Sequence, residues 1–116
     1  MDARLVQLLT SFTGARDRYA LARLELALHD EGRPALPPIG RFAEPSEKAL
    51  REEWPAIELQ LDDALALLKR RERDRRRARE AEEFYRRVSA ALRELDQYAR
   101  AIRWVLTVTQ SPRYDL

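Results

Sequence analysis

Leu5, Leu8, Phe12, Ala15, Tyr19, Ala22, Leu26 and His29 follow one another at steps of three and four residues. A helix turns by about 100° per residue, so this spacing sets all eight on one side of a single rod. Two more series behave alike: Leu50, Trp54, Ile57, Leu61, Ala64 and Leu68, then Ala81, Phe84, Val88, Leu92, Leu95, Ala99, Ile102 and Leu106. Three rods with one apolar stripe each bury those stripes by facing one another. A chain of 116 residues has room for one such core and not for two. The expected fold is all-α: an antiparallel three-helix bundle of long helices, one domain over residues 1–116, each rod about 40 Å long.

The first rod is expected over 2–30. Leu9, Leu21, Leu24 and Leu28 widen its stripe toward the core, and the stripe keeps its phase across Thr10, Ser11, Thr13 and Gly14, so the rod continues through them. Residues 31–44 hold Gly32, Pro34, Pro37, Pro38 and Gly40, which interrupt helix and favour extended backbone. Leu36, Ile39 and Phe42 give this strap apolar anchors, so it is expected to be ordered. The second rod, 45–70, opens near Glu44, Pro45 and Ser46. It contains Pro55, which either kinks one helix or starts a new one.

Local propensity would run the second rod straight into the third, because no breaker lies between Ala56 and Val88. Periodicity opposes this. The second stripe extended past Leu68 reaches Arg71, Arg75, Ala78, Glu82 and Tyr85, one residue out of step with Ala81, Phe84 and Val88. One residue is about 100°, which would give a straight rod two different apolar faces. A reversal within 70–79 is therefore expected, followed by a helix over 80–109 and a tail over 110–116. The rival is a dimer built on one continuous helix over 56–109, a rod of about 80 Å.

The segment from Lys69 to Arg79 reads KRRERDRRRAR and carries a net charge of +6, leaving −4 on the remainder. Guanidinium forks fit phosphate oxygens. Lys69, Arg70, Arg71, Arg73, Arg75, Arg76, Arg77 and Arg79 are thus the candidate nucleic-acid contacts, set against the plainer reading of a solvated tip. Arg outnumbers Lys twenty to two throughout the chain, so abundance of Arg alone does not mark phosphate binding. No aromatic residue interrupts the run to stack on bases, which argues for contact without sequence reading.

Near the other end, Trp104 and Val108 fall off the Leu95–Ile102–Leu106 stripe. With Tyr98 and Arg100 they form a candidate protein interface, unless the strap covers that face. Absent cysteine removes disulfides and thiol chemistry. Glu58, Asp62 and Asp63 have no histidine beside them and read as solvated carboxylates, so neither a metal nor a cofactor is expected. No apolar run approaches the roughly 20 residues of a membrane span, and no export signal is read at Met1–Arg4; the expected location is the cytoplasm, a host's if the chain is viral.

Arg23 and His29 are separated by five residues on the first rod. The pair resembles the Arg-x4–6-His motif of the HEPN ribonucleases, which implies a small helical domain acting as a dimer with these residues in catalysis. In that family the motif sits on a late helix with a polar residue after the Arg; here it is on the first, and Leu24 follows. The residues point to a non-catalytic accessory subunit of a larger protein or nucleoprotein assembly, touching RNA or DNA phosphates nonspecifically and open to homodimerisation, with no membrane and no small-molecule substrate. An adaptor or inhibitor that binds protein alone is the alternative, and a HEPN-like ribonuclease a distant third.

Overall fold

The computed structural model describes residues 3–29, 35–42, 46–74 and 82–110, omitting the side chains at 74, 109 and 110. Among the described residues three helices make up the body: α1 (Ala3–His29), α2 (Glu47–Asp74) and α3 (Glu82–Gln110). At 27, 28 and 29 residues each is about 40 Å long, the matched rods that a three-helix bundle needs.

The stripes are the core. All six α2 residues of the expected series are buried, as are Leu5, Phe12, Ala15, Tyr19, Ala22 and Leu26 of α1. In α3, Val88, Leu92, Leu95, Ala99, Ile102 and Leu106 are buried with Tyr85, Ala91 and Val105 beside them. Two expectations for α1 fail. His29 is exposed at the end of its rod. Leu21, Leu24 and Leu28 point into solvent instead of widening the core, because among the described residues no helix packs on that side of α1.

Local chemistry sets the helix limits. Ser46 caps α2: its Oγ accepts from the Ala49 N–H at 3.0 Å, and its carbonyl accepts from the Leu50 N–H at 3.0 Å. The helix starts at Glu47, two residues after Pro45, and passes through Pro55 as one element. α1 continues unbroken across Gly14, with the Thr10 hydroxyl returned to the Val6 carbonyl at 2.9 Å.

Cross-helix pairs fix the directions. Arg18 meets Glu94 and Glu25 meets Arg87, so α3 runs antiparallel to α1. Arg51 meets the Leu106 carbonyl and Glu58 meets Arg103, so α3 is antiparallel to α2 as well. A continuous helix over 56–109 is excluded by that second pairing. The reversal starts later than expected, since α2 runs through 70–74; the remainder of the expected tip, 75–79, lies outside the described residues.

α1 and α2 are thus parallel, and the strap explains how. It runs back along α1: Leu36 lies by Arg23, Pro37 by Tyr19, Ile39 by Arg16 and Phe42 by Phe12. Eleven residues of α1 rise about 16 Å, and six strap residues cover them, which demands nearly extended backbone. The chain is returned to the end where α1 began, and α2 sets out from there.

Candidate contact surfaces

Three side chains of α1 hold the strap by its backbone. Arg16 Nε donates to the Ile39 carbonyl at 2.8 Å, the Tyr19 hydroxyl to the Pro37 carbonyl at 2.7 Å, and Arg23 Nη1 to the Leu36 carbonyl at 3.2 Å. From the other side, Gln60 Oε1 of α2 accepts from the Gly40 N–H at 2.7 Å. Phe12, Phe42 and Trp54 close the end of the seam with ring centroids about 6 Å apart, near the usual spacing of aromatic pairs. Arg41 and Arg16 both reach Asp17, and the hydrogen bond from Arg16, with Arg41 adding to it, holds that carboxyl below its ordinary range. The described part of the strap, 35–42, packs through Leu36, Ile39 and Phe42 on α1 and α2; the rest of the expected strap lies outside the described residues.

The outer face of the C-terminal half of α3 is accordingly left open. Trp104 is 57% exposed and Val108 41%. Tyr98 is half-buried against the core, and Arg100 is exposed in an i,i+4 pair with Asp96 at 3.1 Å. Arg4 of α1 lies over the Trp104 ring, 5.7 Å from its centroid, which presents a cation and an aromatic face together.

At the opposite end, α2 carries the first part of the basic run. Lys69, Arg70 and Arg73 are exposed. Arg71 is not: at 6% exposure it is a buried charged side chain, close enough to Tyr19 to act on its hydroxyl. This corrects its assignment as a phosphate contact. Because the helix continues to Asp74, residue 71 falls three after Leu68 and takes the next core position. Arg75, Arg76, Arg77 and Arg79 lie outside the described residues.

Glu58 is a second correction. Far from being a freely solvated carboxylate, it accepts from Arg103 Nε and Nη2 and from the Trp54 indole N–H. The hydrogen bonding of Glu58 raises the Arg103 pKa further. The Arg23 and His29 pair is divided by the fold. Arg23 holds the strap, whereas His29 stacks on Phe84 at 4.0 Å, about 120° away around the helix.

Sequence reasoning did not anticipate the Arg16–Tyr19–Arg23 clamp, whose spacing marks one helix face but whose acceptors are backbone carbonyls without side-chain identity. The exposed leucines of α1 had a visible signal, since Leu21, Leu24 and Leu28 sit off the Tyr19–Ala22–Leu26 stripe. Among the described residues no helix is long and apolar enough to cross a membrane, and no cluster of His, Cys, Asp or Glu could hold a metal ion. Comparison of the chain with protein-family models, with curated proteins and with solved structures finds no match.

Proposed function

We propose that this chain is a non-catalytic helical accessory subunit that works by contact, with the basic end of α2 resting on nucleic-acid phosphates. One observation carries the reading. Lys69, Arg70 and Arg73 stand in solvent at the end of a rigid rod, and the chain goes on directly to Arg75, Arg76, Arg77 and Arg79. Charges presented this way meet a backbone without reading its bases, because no aromatic or amide side chain accompanies them. Such binding is strongly salt-dependent, with a slope of about −0.9 per phosphate neutralised on duplex DNA.

The test is binding to mixed-sequence DNA and RNA across a salt series, repeated with Lys69, Arg70 and Arg73 changed to Gln. The substituted chain should bind more weakly, and three lost contacts should flatten the slope by about 2.7. Affinity indifferent to both salt and substitution overturns the reading. The exposure of Trp104 beneath Arg4 favours a second one, in which Tyr98, Arg100, Trp104 and Val108 meet a protein partner in the same assembly.

A further inference from the structure

α1 carries three exposed leucines on the side away from the core. Leu21, Leu24 and Leu28 are 61%, 56% and 75% exposed. Soluble helices normally keep that side polar, and a helix apolar all round belongs inside something. Beside Leu21 a groove of about 350 Å³ opens between α1 and α3, floored by Leu21, Ala22, Ala90 and Ala91.

An ion pair crosses each end of this groove. Arg18 Nη2 meets Glu94 Oε2 at 2.5 Å, and Arg87 Nη1 meets Glu25 Oε2 at 3.1 Å. On both helices the rungs are seven residues apart, about 10.5 Å along the axis. α1 supplies the cation to one rung and the anion to the other, and α3 does the reverse. The midpoint of the ladder falls between 21 and 22 on α1 and between 90 and 91 on α3, at the centre of the apolar floor.

We infer that this groove is the interface of an isologous dimer, occupied by a second copy of the chain docked antiparallel. Its two-fold axis crosses from α1 to α3 through that midpoint. The rotation exchanges the rungs. Arg18 comes to face Glu25 of the second copy, Glu94 comes to face Arg87 of the second copy, and the two Leu21 side chains meet over the alanine floor. Each of the four ladder charges opposes its complement. Complementarity of this kind sets register and partner choice. The four charged side chains stay between 34% and 58% exposed while their own rungs are intact, with Arg87 also paired to Glu83 at 2.7 Å. The pattern favours the chain's own copy over an unrelated apolar helix, because the same ladder, turned over, answers it charge for charge.

Sedimentation equilibrium on the full chain tests the inference. A dimer should form with concentration, its Kd on the order of 10 µM, as suits a modest interface. Leu21→Asp should raise that Kd more than about tenfold, with helical circular dichroism unchanged because Leu21 is not part of the core. The decisive variant inverts the whole ladder: Arg18→Glu, Glu94→Arg, Glu25→Arg and Arg87→Glu together. Both internal pairs survive, so this chain should dimerise with itself and refuse the unaltered chain in native mass spectrometry. A monomer throughout the concentration series overturns the inference. So does a Leu21→Asp chain that dimerises like its parent, or free mixing of inverted and unaltered chains.

Discussion

Arg103 of α3 lays both prongs of its guanidinium on Glu58 of α2, Nε on Oε1 at 3.0 Å and Nη2 on Oε2 at 2.9 Å. The same carboxylate takes the indole N–H of Trp54, whose ring belongs to the aromatic cluster closing the strap. One acidic side chain thereby joins α3, α2 and the end of the strap. A bidentate pair is the strongest geometry such a contact offers, and here it satisfies a buried tryptophan as well.

Glu58→Ala should therefore lose more than an ordinary surface pair. An exposed ion pair contributes up to about 1 kcal/mol, and leaving the Trp54 N–H without its acceptor adds about 1 more. Urea denaturation should show a loss of about 2 kcal/mol, and a double-mutant cycle with Arg103→Ala should give a clear coupling energy. A loss below about 0.5 kcal/mol would mean that the clamp does not order this end of the bundle.

Tyr19 makes a pH prediction. Burial pushes its hydroxyl up to about 12, against the opposing pull of Arg23 and Arg71. The folded protein thus holds this proton more tightly than the unfolded chain, whose tyrosines titrate near 10. The stabilisation is complete below about pH 10 and is lost as pH rises from there through about 12. Denaturation midpoints should fall across that window, and Tyr19→Phe should flatten this part of the fall. Equal slopes in the two chains would show that Tyr19 does not titrate late.

Gly14 lies in the middle of α1, where glycine is a weak helix former. A Cβ added there would meet only Arg18 Nη1, at an ordinary contact distance of 3.5 Å. Gly14→Ala should raise stability by about 0.5–1 kcal/mol, or several degrees in Tm. Thermal melts followed by circular dichroism check it, and a lower Tm would show crowding around residue 14.

What the sequence made legible follows from which forces are local. The α2 stripe from Leu50 to Leu68 was readable residue by residue, since helical period alone sets which side is apolar. α1 was harder because Leu21, Leu24 and Leu28 make a second apolar side, and period cannot say which side receives a neighbour. In α3 the stripe names Phe84, which packs partly against the core, whereas Tyr85 beside it is the buried one, since one step of register separates core from rim. The clamp on the strap and the grip of Arg103 on Glu58 join residues distant in the chain, so nothing local announces them. Arg71 was misread because charge was allowed to outweigh position.

Arg70 and Arg71 bring that last point to a measurement. They are adjacent and chemically identical, about 100° apart on α2, one in solvent and one 6% exposed beside Tyr19. Arg71 takes a core position with its Nη2 buried as well, so truncation removes packing along with charge. Arg71→Ala should lose about 2–3 kcal/mol in urea denaturation, whereas Arg70→Ala should stay within about 0.5 kcal/mol of the parent chain. Nucleic-acid binding should divide them the other way. Arg70→Gln should weaken it and reduce its salt slope, and Arg71→Gln, measured where the chain remains folded, should leave both unchanged. Equal stability losses would deny the inward position of Arg71. Equal binding losses would show that the helix presents both residues to phosphate.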